Sequence, residues 1–234
     1  MKIAICYSGM FRNFKENVDN NIKHLISKYD SDVYLSFWDI YGFSTFRTKF
    51  DIKNNDEILD DIKEDVLNKL KPKNFEFESY SKLNNFFEEE SNKYTHARET
   101  PPPYCKNMLS MWYKVEKCGK MVEDSGINYD LIIRLRGDIT FNSDLILQQP
   151  KENTIYSPLQ GSWNSSMNDQ IAYGNKDVMH IYSDLYNKLP NIWLNSGTSI
   201  APEAILYKHM ENNNILMESF DLYYNLLDEH NNKR

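Results

Sequence analysis

Along this chain short apolar runs give way repeatedly to segments in which apolar residues recur every three or four positions, a rhythm of strands followed by helices. Residues 2–7 form an apolar strand, Ile3-Ala4-Ile5-Cys6, cut off by Ser8-Gly9. Residues 15–28 then place Val18, Ile22 and Leu25 on one side of a helix. Residues 32–38 are a second strand with Asp39 at its carboxyl end, and residues 55–70 carry Ile58, Ile62, Val66 and Leu70 at helical spacing up to Lys71-Pro72. Phe75-Glu76-Phe77 is a further short strand. The charged run 82–94, with Leu83, Phe86 and Phe87, predicts a helix with one solvated face.

Thr100-Pro101-Pro102-Pro103 predicts an extended loop, because proline cannot continue a helix. Beyond it, Met108, Met111, Trp112, Val115, Cys118 and Val122 mark residues 107–123 as a helix packed on a sheet, ended by Gly126. The most apolar strand follows, Leu131-Ile132-Ile133, and runs straight into Arg134, Arg136 and Asp138. Residues 154–156 and 170–173 are short strands, 176–188 a helix, and 202–212 a helix with proline in its first turn. Such alternation predicts an α/β fold, a single domain with a mostly parallel sheet flanked by helices, in which ligands gather at the carboxyl ends of the strands.

The chain has 234 residues, 41% hydrophobic and 26% charged, within the range of one ordinary globular domain. No apolar run approaches the roughly 20 residues of a membrane-crossing helix. The amino-terminal run reads as a buried strand and not a secretory leader, which makes the cytoplasm the expected location. A net charge of −7 argues against nonspecific nucleic-acid binding, which needs many cations against phosphates. Cys6, Cys105 and Cys118 fit no zinc or redox spacing and are expected to be free thiols. No strand is followed by a phosphate-binding glycine loop of the kinase or dehydrogenase type, nor by a serine-hydrolase elbow.

In an extended chain Arg134, Arg136 and Asp138 project to one face, with Leu135 and Gly137 on the other. Guanidinium forks take phosphate oxygens two at a time, and the neighbouring carboxylate either holds a divalent cation or pairs with the arginines. The arrangement suits a diphosphate; the alternative is a structural salt-bridge ladder at a sheet end. Ser8, Gly9 and Arg12 follow the first strand, where glycine lets backbone approach a ligand and the arginine reaches phosphate or base. Asp39 is a candidate for base or ribose, or equally a helix cap.

The stretch Tyr129-Asp130-Leu131-Ile132-Ile133-Arg134-Leu135-Arg136-Gly137-Asp138 resembles the YD-x-x-I-R-x-R-x-D signature of glycosyltransferases from polysaccharide and lipopolysaccharide synthesis and from large DNA viruses. Residues 5–12, 110–114 and 168–174 support the likeness, which spans residues 5 to about 210. It implies a GT-A-like (Rossmann-like) fold, with about residues 1–100 as the nucleotide-binding half and about 104–218 as the metal and acceptor half. It implies a nucleoside-diphosphate sugar as donor, a glycan hydroxyl as acceptor, and Mn²⁺ or Mg²⁺ on the diphosphate. Asp138 corresponds to the surviving acid of the metal-binding element. Arg136 stands where the first acid would be, so the arginines are an alternative means of neutralising the diphosphate.

By the same likeness Asp169 is the first candidate for general base and His209 a candidate late metal ligand; Glu203 is the competing base, or equally an acid favoured in a helix first turn. Trp163 is a candidate for stacking on a sugar. The competing functions are a noncatalytic nucleotide- or glycan-binding module and a sugar nucleotidyltransferase.

Overall fold

The first strand, β1 (Lys2–Gly9), is buried along almost its whole length. In the computed structural model, which describes residues 1–44, 52–53, 56–95, 102–158, 165–198 and 201–227, β1 is followed by α1 (Phe14–His24) and a 3-10 turn, Ile26–Lys28. Next comes β2 (Asp30–Trp38), parallel to β1 from Lys2 opposite Asp30 to Gly9 opposite Phe37. A small antiparallel pair, β3 (Phe43–Ser44) and β4 (Ile52–Lys53), precedes α2 (Asp60–Leu70) and β5 (Asn74–Glu78). Two helices, α3 (Tyr80–Thr95) and α4 (Pro102–Asp124), lead to β6 (Leu131–Leu135). The rest is β7 (Ile139–Phe141), β8 (Thr154–Pro158), β9 (Ile171–Gly174), α5 (Lys176–Ser183), α6 (Leu185–Asn195), α7 (Pro202–Asn212), β10 (Leu216–Phe220) and β11 (Tyr224–Leu226).

Seven strands make the main sheet, in the order β10-β8-β9-β6-β1-β2-β5. β9 runs antiparallel to β6 and β8, and the other pairs are parallel. The molecule is thus α/β with a mostly parallel sheet flanked by helices, compatible with a Rossmann-like arrangement. Alternation along the strands builds one core on each face. Ile3, Ile5, Tyr7, Val33, Leu35 and Ile133 meet Phe14 and Val18 of α1 and Val66 and Leu70 of α2. Ala4, Cys6, Tyr34 and Ile132 meet Trp112 and Val115 of α4, with Tyr182, Leu189, Trp193 and Leu206 of the later helices. Burial on both faces is why β1 and β6 read as unbroken apolar runs. The three cysteines are free and buried. Among the described residues no helix is long and apolar enough to cross a membrane.

The sequence expectations fail in four places. α4 begins at Pro102, so two of the prolines assigned to an extended loop form a first helical turn, where no N–H is needed for the ladder; Thr100 and Pro101 lie outside the described residues. The helix expected over 176–188 is two, broken at Asp184. Val178, Tyr182, Leu185, Leu189 and Ile192 keep helical spacing across the break, so the pattern does not reveal it. β3, β4, β7, β10 and β11 were not anticipated. The extended chain inferred through Asp138 ends as a strand at Leu135 and turns at Gly137-Asp138.

Candidate functional site at the carboxyl ends of the central strands

From β1 the chain passes by way of α1 to β2 on one side of the sheet centre, whereas α4 returns it to β6 on the other. β6 is in turn followed by β8 and β9, which extend the sheet away from β1, so the border between β1 and β6 is a topological switch point, where open α/β sheets bind ligands. Ser8, Gly9 and Arg12 follow β1 at this point, and Arg134, Arg136 and Asp138 lie at the end of β6.

Gly9 turns the chain with φ 116°, a conformation that disfavours any side chain. Arg12 sits in the left-handed region at φ 52°, held by its N–H on the Tyr41 carbonyl at 2.8 Å. That backbone costs a non-glycine residue about 1–2 kcal/mol, and it brings the Arg12 Nη1 to 3.3 Å from Asp138 Oδ2. Arg136 grips the same carboxylate with two bonds, Nε to Oδ1 at 2.8 Å and Nη2 to Oδ2 at 2.6 Å. Asp138 is 1% exposed. Burial opposes its charge, but Arg136 and Arg12 outweigh that and hold its carboxyl down at about 2. For Arg136 too, burial works against the charge and the Asp138 carboxylate more than compensates, so its proton is held more firmly than usual.

Arg134 points into the α4 side of the sheet and is 2% exposed. Its Nε donates to Ser8 Oγ at 3.3 Å and its Nη1 to the main-chain carbonyl of Asp169. The remaining nitrogen, Nη2, is buried with no hydrogen-bond partner. The Tyr182 hydroxyl is likewise buried and unpartnered, close enough to feel the charges of Arg134 and Asp169.

The turn that carries Asp138 is fixed from α1. Asn17 Nδ2 donates to the Gly137 carbonyl and Asn21 Nδ2 to that of Ile139, both at 3.0 Å. Asn20 makes a two-way bond with the main chain of Phe141. Asn17 Oδ1 also accepts from Thr140, and Tyr7 donates to Asn21 Oδ1. A Cβ on Gly137 would come within 3.0 Å of the Phe11 carbonyl and 3.2 Å of the Phe14 Cβ, so α1 can approach only because this residue has no side chain.

Opposite the arginines lie two carboxylates. Asp169, 5% exposed, precedes β9. Its neighbour Asn168 accepts the N–H groups of Gln170 and Ile171 and donates to the Tyr224 hydroxyl, which in turn donates to Gln170. Glu203 stands in the first turn of α7, and its carbonyl accepts from Met167 N at 3.1 Å. Burial and then the nearby charge of Asp169 raise the proton affinity of Glu203, while Arg136 lowers it. The main chain ties the two groups together, with Arg136 N on the Gln170 carbonyl and Leu227 N on that of Asp138. Residues 8, 12, 134, 136, 138, 169 and 203 thus meet around one locus.

Two candidates are engaged elsewhere. The Asp39 Oδ1 accepts from Tyr80 N at 2.9 Å, so the carboxylate caps the start of α3. His209 is 2% exposed and its Nε2 lies 2.7 Å from the Ile181 carbonyl. That nitrogen carries the proton and donates to the carbonyl, burial keeps the ring neutral by lowering its pKa, and among the described residues His209 belongs to no group of three His, Cys, Asp or Glu that could hold a metal. Trp163 lies outside the described residues.

A divalent cation fits this donor set poorly. Both Asp138 oxygens are taken by guanidinium groups, and among the described residues no three His, Cys, Asp or Glu are grouped to hold a metal. The sequence reading missed Tyr224, Tyr182 and the α1 asparagines. Of these only Asn13-x-x-x-Asn17-x-x-x-Asn21 left a signal, a polar stripe at helical spacing beside an apolar one.

No family model matches the chain, and no curated protein matches it significantly in sequence.

Proposed function

We infer that this chain is a glycosyltransferase that moves a sugar from a nucleoside-diphosphate sugar to a glycan hydroxyl. One observation carries the reading: three guanidiniums, Arg12, Arg134 and Arg136, converge at the switch point of a parallel sheet, facing the carboxylates of Asp169 and Glu203. The GT-A-like signature through Arg134, Arg136 and Asp138 points the same way.

In the reaction the acceptor hydroxyl gives its proton to the Asp169–Glu203 pair as its oxygen bonds the anomeric carbon. The bond from that carbon to the diphosphate oxygen breaks, and its electrons leave with the diphosphate. Charge grows on that leaving group in the transition state, where preoriented guanidiniums stabilise it most. Asp138 keeps Arg12 and Arg136 side by side, so little reorganisation is needed.

The test is release of nucleoside diphosphate from a panel of nucleotide-sugars offered with glycan acceptors. Arg136→Ala and Asp169→Asn should fold and lose at least about a hundredfold in rate. Full activity in either variant would overturn the assignment. The burial of Asp169 and the internal Arg136–Asp138 pair favour, as second reading, a binding module without chemistry; nucleotide-sugar binding with neither transfer nor hydrolysis would select it.

A further inference from the structure

We propose that the arginines take the place of the divalent cation, so that this site holds a diphosphate without metal. The inference rests on the diphosphate reading above and concerns how that group is held. Asp138 is the carboxylate a bridging cation would need, yet Arg136 takes both of its oxygens at 2.8 and 2.6 Å and Arg12 shares one at 3.3 Å. A cation arriving there would have to displace a two-pronged ion pair and then sit among the guanidiniums it displaced, where like charges repel strongly because water is largely excluded. Among the described residues no three His, Cys, Asp or Glu are grouped to hold a metal ion.

The same geometry favours an anion. Arg12 and Arg136 are held side by side on Asp138 at the mouths of β1 and β6. Guanidinium forks match the spacing of phosphate oxygens, and Arg134 Nη2 is a buried donor with no partner. Asp138 is a positioning residue, aligning the Arg12 and Arg136 forks, and not a ligand to an ion. The side chains of Arg12 and Arg136 are 18% and 15% exposed, against 2% for Asp138, so of this cluster the arginines are the part open to solvent.

Titration calorimetry of the full chain with inorganic pyrophosphate in excess EDTA, with pyrophosphate in the presence of Mn²⁺, and with Mn²⁺ alone tests this. Pyrophosphate should bind in EDTA, Mn²⁺ alone should give no binding heat, and Arg12→Gln and Arg136→Gln should each weaken pyrophosphate about tenfold or more. Pyrophosphate binding only when Mn²⁺ is present would overturn this inference and leave the diphosphate reading standing. Binding under neither condition would overturn both. Binding in EDTA that survives both arginine substitutions places the anion elsewhere and also refutes the proposal. The wild-type titrations decide whether a metal is needed even if a variant fails to fold, and Arg12→Lys, which keeps the charge and loses the fork, then locates the anion by weakened binding.

Discussion

Replacing Asp138 by asparagine preserves shape and removes the charge between two guanidiniums, so its cost to stability should change with pH. In the folded protein the Asp138 carboxyl titrates at about 2, against roughly 3.9 in an unfolded chain. Two pH units correspond to about 2–3 kcal/mol of stability that exists only while the carboxylate is ionised. Because the folded value is the lower one, this contribution is complete above the unfolded pKa and disappears as pH falls from about 4 toward about 2. The variant never has it. At neutral pH it also leaves two largely buried guanidiniums facing an amide, so the total deficit should reach about 3–5 kcal/mol. Urea denaturation of both proteins from pH 7 to pH 2.5, followed by tryptophan fluorescence, measures the gap directly. The gap should hold steady down to about pH 4 and then narrow by about 2 kcal/mol. Groups that titrate in both proteins, Glu203 among them, cancel in the difference. A gap that is constant over the whole range would mean that Asp138 contributes packing and not charge, and the electrostatic account of the site would be wrong.

Two further substitutions probe charges with opposite behaviour. The folded pKa of Glu203 is raised, so burying its ionised form lowers stability as pH climbs through that raised value; Glu203→Gln should melt higher than the wild type at pH 7–8 and show no advantage at pH 4, and an advantage of equal size at both would count against the assignment. Lys114 is fully buried between Glu76 and Glu78 and lies 4.5 Å from the Trp38 ring centroid. Lys114→Met should cost about 3–5 kcal/mol in urea denaturation by leaving the acids without their cation, and adding Glu76→Gln and Glu78→Gln should recover part of the loss; no recovery would mean the cost is packing alone.

The fold was largely legible because its central strands are buried on both faces. Ile3-Ala4-Ile5 and Leu131-Ile132-Ile133 have no other reading than interior strands, and the helices between them keep their apolar spacing. What escaped notice depends on partners distant in sequence. β11 is defined by pairing Tyr224–Leu226 with Ile139–Phe141, some 85 residues away, and neither segment is apolar enough to declare itself. The break at Asp184 escaped for the opposite reason, since its flanking core residues keep one continuous helical rhythm.

At the site, residue types and spacing indicated which groups would gather but not how they would divide among one another. Alternation put Arg134, Arg136 and Asp138 on one face, and Arg136 and Asp138 are indeed neighbours two residues apart. Their partnership is decided at Gly137, where α1 comes so close that only glycine fits and where Asn17 and Asn21 take the carbonyls of Gly137 and Ile139. The turn swings Asp138 toward Arg12, a residue 126 positions earlier, held in place by its own strained backbone. The carboxylate that looked in sequence like the remnant of a metal site is therefore claimed from two directions by arginines. Which of its two roles it fills follows from helix packing on the far side of the sheet, a long-range constraint that local periodicity does not carry.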